Sequence, residues 1–242
     1  MSKPSGSCPA VCMNWKLKCV RSYRRPVRAS SSGLNETQLQ PMKGPQAYRA
    51  IPGWLTDNEA HALYNVARKT HGGLLEVGTF LGRSTSVLCE GIRDAGQIGR
   101  KFISYDLSCS SPNEFQAYAQ TLGQDTLETP PLLTELWAKG TNSTDEAQKY
   151  LAANALLEYV KLRRGDFKQD TGCYDTMFVD VMHESGEVET NLPHIHRLAA
   201  PMALIAIHDM YVESTLQEVL TQARGKLHFF RLIDTLGLFQ RL

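Results

Sequence analysis

The chain has 242 residues, enough to bury one substantial core, and its 42% hydrophobic and 21% charged content is that of a soluble globular protein. No run approaches the roughly 18 apolar residues needed to span a bilayer, so no membrane partner is expected. The net charge of +1 hides an asymmetry. Residues 1–35 carry seven Lys or Arg and no acid, while residues 36–242 hold 19 basic against 25 acidic groups. The larger part lacks the basic excess of a nucleic-acid binder, and no nucleic-acid partner is expected.

Residues 1–46 read as a basic, Ser/Arg-rich tail, with Ser30-Ser31-Ser32-Gly33 as linker-like sequence. This composition suits either a disordered extension or a transit-like targeting segment, which makes a soluble intracellular protein, cytoplasmic or organellar, the expectation. The six cysteines, at 8, 12, 19, 89, 109 and 173, form no CxxC pair and no disulfide framework. The spacing of the three tail cysteines is unspecific for zinc.

Residues 47–242 are expected to form one domain, with order beginning near Ile51. Thr56 and Glu59 have the spacing of a capping box, and Ala60, Leu63, Tyr64 and Ala67 follow on one helical face. A short apolar strand, 74–77, leads through a glycine-containing turn to a helix over about 84–93, and 101–105 reads as the second strand. An irregular stretch, 108–143, is a candidate lid; within it Leu132, Leu133, Leu136 and Trp137 suit a short core helix or an apolar pocket wall. A helix from Asp145 to about Tyr159, capped by Ser143, precedes strands near 161–163, 176–179 and 203–207. A helix over 212–223 ends at Gly225, and 227–233 and 236–242 form two strand-like runs around a tight turn. Strands alternating with helices predict an α/β, Rossmann-like three-layer sandwich with a mostly parallel sheet, and the terminal pair predicts an antiparallel edge.

The sharpest motif is Leu75-Glu76-Val77-Gly78-Thr79-Phe80-Leu81-Gly82-Arg83-Ser84-Thr85, at a strand-to-helix turn. Gly78 permits a tight turn and Gly82 a close approach of ligand to backbone, while Ser84 is placed to cap the helix that follows. It is not GxGxxG, the dinucleotide fingerprint. Glu76 ends the first strand at the carboxyl edge where such sheets bind ligands; it would repel a pyrophosphate and tolerate a ligand amino group. Asp106 ends the second strand, placed for ribose hydroxyls, and Gly165-Asp166-Phe167 could flank a base. Asp180 and His208-Asp209 each follow an apolar strand. Two aspartates and two histidines there could hold a divalent cation, or His183 could take a proton directly. Plain alternatives stand beside these: Asp180 or Asp209 as helix caps, His208 as an interior histidine, and His194 and His196 as structural.

These residues together resemble the class I S-adenosylmethionine (SAM)-dependent methyltransferases. Within them the chain is most similar to the small-molecule O-methyltransferase branch known as methyltransferase family 24, over about residues 48–242. The resemblance implies a seven-stranded sheet with an antiparallel C-terminal strand, and a SAM pocket formed by Glu76, Gly78, Thr79, Phe80, Gly82, Ser84, Asp106, Asp166 and Asp180, with Ser84 on the methionine carboxylate. It implies O-methylation of a small hydroxylated acceptor, with Asp180 and His183 as the catalytic pair. A divalent metal (Mg, Mn or Fe) would sit on Asp180, His208 and Asp209. The metal-dependent catechol-type relatives carry a Lys where this chain has His183, and an Asp-Asn or Asp-Asp pair where it has His208-Asp209. An iron-dependent hydroxylase on the same scaffold and a non-catalytic SAM-fold module are the competing readings, and homo-oligomerisation is left open.

Overall fold

The computed structural model describes residues 44–121, 129–183, 185–211 and 213–242. Most of the expected tail, with Cys8, Cys12 and Cys19, lies outside the described residues, as does Val212. Packing begins upstream of Ile51. A 3-10 turn at Ala47–Ala50 is held by Glu90, whose Oε2 accepts from the N–H groups of Gln46 (2.8 Å) and Ala47 (3.1 Å), and Tyr48 is fully buried.

Helix α1, Asp57–Lys69, starts on the expected capping box: Thr56 Oγ1 accepts from Glu59 N–H at 3.2 Å, and Glu59 Oε2 accepts from Thr56 N–H at 2.9 Å. The strands are β1 Leu74–Val77, β2 Phe102–Asp106, β3 Lys161–Arg164, β4 Tyr174–Val179, β5 Ala199–Ile207, β6 Leu227–Ile233 and β7 Leu236–Arg241. They form one sheet in the order β3-β2-β1-β4-β5-β7-β6. The first five are parallel, and β7 lies antiparallel between β5 and β6. This is the expected seven-stranded arrangement.

Strand parity sorts the core into two layers. Leu75, Val77, Met177, Val179, Ile205 and Ile207 face α6 (Ser185–Leu198) and α7 (Thr215–Gln222). Leu74, Phe178 and Ala206 face α1 and α2 (Arg83–Asp94). Glu76 shares the parity of Leu74 and so points toward α2. Within the 108–143 stretch, α3 spans Pro112–Thr121 and α4 Pro131–Ala138, and residues 122–128 lie outside the described residues. Leu133 and Leu136 of α4 pack with Ile51 and Leu81 in a third, small cluster. Pro131 opens α4 where its missing N–H costs nothing, and the helix is the short one expected around residues 132–137. Helix α5, Ser143–Ala153, is capped by Asn142 rather than Ser143, and α7 begins at Thr215 rather than 212. Among the described residues, no helix is long and apolar enough to cross a membrane.

Helices α1 and α2 approach closely at Gly91, where a Cβ would lie 2.6 Å from the Tyr64 carbonyl oxygen and 2.9 Å from Ala67 Cβ. Gly91→Ala is expected to lower the unfolding free energy by about 1–3 kcal/mol despite alanine's better helix propensity, because the overpacked contact is backbone and cannot yield. Urea denaturation of the variant and the parent measures the difference.

Candidate active site

The carboxyl ends of β1, β2, β4 and β5 open into a cavity of about 580 Å³, a volume suited to a cofactor and a small partner. Its wall includes Gly78, Thr79, Phe80, Ser84, Asp106, Asp166 and Asp180. Chain order reverses across β1, with β2 on one side and β4 on the other, the switch point where such sheets bind ligands.

At the β1 end, Gly78 adopts φ +98°, and a Cβ there would lie 2.5 Å from the Asp180 carbonyl oxygen. Only glycine fits this turn. Gly82 adopts φ +86° as the N-cap of α2 and offers no side-chain cap. Arg83 and Ser84 of that first turn line the cavity. Ser84 does not cap the helix as expected; its Oγ donates to Glu76 Oε1 at 2.7 Å.

Glu76 is not on the cavity wall. It is 0% exposed, and it accepts from Ser84, Thr85 (2.6 Å) and Ser104 (2.6 Å). Strand parity turns it into the α2 layer, so it supports Ser84 from beneath instead of meeting the ligand amino group. Burial pushes its carboxyl up to about 7, against the three hydroxyl donors.

Asp106 does reach the cavity. Its Oδ2 accepts from Phe80 N–H (2.7 Å), and its Oδ1 from Ser108 N–H (2.7 Å) and Ser143 Oγ (2.9 Å). Burial raises its pKa, and these donors oppose the rise. Phe80 (φ +46°) and Ser108 (φ +52°) take left-handed backbone conformations to supply those N–H groups, strain of the kind that collects at functional sites. Asp166 caps the short turn Phe167–Gln169 on the same wall. Phe115, Tyr118 and Leu133, from α3 and α4, also line it.

At the β4–β5 end, Asp180, His183 and Asp209 each place one donor atom within 4.8 Å of the others. His183 Nε2 lies 3.7 Å from Asp180 Oδ1 and 3.6 Å from Asp209 Oδ2. Its Nδ1 faces Glu187 Oε2 at 3.0 Å, and its backbone N–H donates to the same oxygen at 2.8 Å. A carboxylate behind one imidazole nitrogen, with the other nitrogen turned toward two more carboxylates, is the usual surrounding of a metal-ligating histidine. The two His183 separations, 3.7 and 3.6 Å, are within the reach of a pair of metal bonds of about 2.0–2.2 Å. The residues therefore fit a divalent cation.

His208, expected as a ligand, lines the cavity but is not one of that trio. It is 4% exposed; its Nδ1 lies 3.1 Å from Asp180 Oδ1 and its Nε2 3.4 Å from Glu59 Oε2. Both ring nitrogens are thus committed to carboxylates. Burial opposes the charged ring, but Asp180 and Glu59 push its pKa up to about 10. His183 is likewise pushed up to about 10 by Asp180 and Glu187, against burial. Burial raises Asp180 and Glu59, but the imidazoles beside them, with further donors on Glu59, hold both near 2. His194 and His196, read as structural, do not line the cavity.

Glu59 and Glu187 were missed as site residues. Glu59 read only as the third residue of a capping box, and its second partner lies 149 positions away. Glu187 had one legible signal, its helical i+4 spacing from His183. Trp54 and Tyr211, 68% and 53% exposed, also line the cavity, and Trp54 packs on Phe80 with ring centroids 5.8 Å apart.

Residues 75–210 match the model of a methyltransferase-domain family, methyltransferase family 24, and the chain belongs to that family of SAM-dependent methyltransferases. Among curated proteins, no sequence matches. Solved structures share the fold at low identity. A methyltransferase from Geobacter sulfurreducens is 17% identical, covering 78% of this chain and 82% of its own, with a TM-score of 0.51. A SAM-dependent O-methyltransferase from Thermotoga maritima is 12% identical, covering 78% and 66%, with a TM-score of 0.51. The O-methyltransferase NovP is 14% identical, covering 76% and 79%, with a TM-score of 0.55.

The Glu76 carboxyl sets a pH dependence on stability. Its folded pKa, about 7, lies above the ordinary 4.5, so the folded chain keeps a proton that the unfolded chain releases. Stability from this group is full below the lower value and is lost as pH rises through the upper one, by about 3 kcal/mol in all. Unfolding free energies measured from pH 4 to 8 should fall more steeply in the parent chain than in Glu76→Gln; parallel profiles would contradict the assignment.

Proposed function

We propose that the chain transfers a methyl group from SAM to a hydroxyl oxygen of a small acceptor, assisted by a divalent cation. The observation that carries this reading is one cavity with a nucleotide-type wall at its β1–β2 end and the Asp180–His183–Asp209 trio at its β4–β5 end. Asp106 would hold the ribose hydroxyls, and Ser84 with the first turn of α2 would hold the methionine carboxylate. Asp166 and the rings of Phe115 and Tyr118 would border the adenine. SAM, when bound, supplies a methyl group on a positively charged sulfur. The cation, when bound, supplies polarisation of the acceptor hydroxyl.

The chain's own task is alignment. Asp180, Asp209 and His183 would hold the cation, with His183 a ligand through Nε2. A histidine among the ligands suits manganese or iron better than magnesium. Trp54 and Tyr211 offer exposed ring faces at the cavity, which suits an acceptor with a planar or apolar body. Helices α3 and α4 would keep water from the cofactor end.

Two titrations test the two halves. S-adenosylhomocysteine should bind the purified chain in a calorimeter, and Asp106→Asn should weaken it about 10- to 100-fold, the value of a charged hydrogen-bond acceptor. Absence of binding to the parent chain would overturn the SAM reading. Mn²⁺ added to EDTA-treated protein should bind one site per chain, and Asp209→Ala should abolish it while S-adenosylhomocysteine binding persists. Loss of both together would point to misfolding instead.

A further inference from the structure

Glu59 makes contacts that helix capping does not require. It is 1% exposed. Its Oε1 accepts from both the N–H and the hydroxyl of Thr235, each at 2.8 Å. Its Oε2 accepts from Thr56 N–H at 2.9 Å and faces His208 Nε2 at 3.4 Å. Thr235 belongs to the turn between β6 and β7, and Thr56 Oγ1 donates to Asp234 Oδ2 in the same turn at 2.6 Å. The Glu59 carboxylate is therefore clamped from the helix start and from the hairpin, and cannot swing.

On the far side of the ring, His208 Nδ1 reaches Asp180 Oδ1 at 3.1 Å. His183 Nε2 approaches the same carboxylate oxygen from the cavity side, at 3.7 Å. The His208 ring also meets Phe178 at an angle of 60°, with centroids 6.3 Å apart. The ring is tied at both nitrogens and flanked on one side. It cannot rotate without breaking both ties.

We propose that Glu59 is a positioning residue for the cation site: through His208 it fixes the Asp180 carboxylate and so sets the affinity of Asp180, His183 and Asp209 for a divalent cation. The inference rests on the cation reading given above. Its physical basis is that a carboxylate free to rotate must lose that freedom when it binds a metal, whereas one already held pays less. Glu59 touches neither cation nor acceptor, and it acts across a distance that no sequence spacing reveals.

The test is Mn²⁺ affinity, read from the paramagnetic resonance signal of free Mn²⁺, in the full chain and three variants. Glu59→Gln keeps the size and an oxygen acceptor for Thr235 but removes the charge facing His208. Its Mn²⁺ dissociation constant should rise about tenfold or more, while S-adenosylhomocysteine affinity stays within about twofold. Thr235→Val removes a hydrogen bond from the same carboxylate without touching Oε2; it should lower the melting temperature and leave Mn²⁺ affinity within about twofold. This control separates positioning from stability. A folded Glu59→Gln with parental Mn²⁺ affinity overturns the inference. Should Glu59→Gln fail to fold, His208→Asn takes its place: the amide can still donate to Asp180 but is too short to reach Glu59. The same loss supports the inference, and unchanged affinity overturns it. A parent chain that binds no Mn²⁺ overturns the cation reading, and this inference with it; a parent that binds while Glu59→Gln matches it overturns the inference alone.

Discussion

The close passage of Gly78 over the Asp180 carbonyl is the constraint on which the site depends. A side chain at position 78 would meet that oxygen at 2.5 Å, so the chain leaving β1 can touch the chain leaving β4 only because residue 78 has none. Hydrogen bonds lock the approach from both directions. The Asp180 N–H donates to the Val77 carbonyl at 2.8 Å, and the N–H groups of Gly78 and Thr79 both donate to the Tyr105 carbonyl, at 2.9 and 3.2 Å. Three strand ends are thereby drawn into one floor. The Asp106 end and the Asp180 end of the cavity become neighbours across a single layer of backbone, as a transfer between two bound molecules requires.

That floor gathers acids, and the protein handles each by different physics. Glu76 is buried beneath hydroxyl donors and its proton is retained well above the usual carboxylate range. Asp106 is surrounded by backbone N–H groups and a serine hydroxyl, so its charge is shared with dipoles. Asp180 and Glu59 meet an imidazole and remain ionised far below neutrality. Burial alone would have neutralised all of them. What separates their roles is the donor each one faces: hydroxyls of α2 and β2 for Glu76, the β1–α2 turn, the β2 exit and α5 for Asp106, and the residue after β5 for Asp180 and Glu59.

Much of this was legible in the sequence, and what was not has a physical reason. The sheet could be read because apolar strand runs alternate with capped helices, and the antiparallel terminal pair because two runs flank a two-residue turn. The glycine turn and Asp106 could be placed because their positions follow from local chain geometry. Glu76 was drawn to the wrong side of the wall, since proximity to the glycine turn was weighed above strand parity, which pairs it with Leu74 and not Val77. His208 reads as a ligand beside Asp209, but its outer nitrogen faces Glu59, a partner that no local spacing shows. Glu59 could not be found at all as a site residue. Its capping role is complete in local terms, and its partners His208 and Thr235 stand 149 and 176 residues away.

The hairpin clamp has a consequence for the order in which the molecule comes together. Glu59 lies in the first helix and Thr235 in the last turn, so their contact closes a loop nearly as long as the described chain. Contacts of such separation form late, after local helices and the parallel strands have found one another. A chain still emerging from synthesis, N-terminal end first, can build the nucleotide wall from β1 and β2 long before the final hairpin exists. Until then the Glu59 carboxylate lacks its two contacts with Thr235, and the first helix is not yet tied to the last turn.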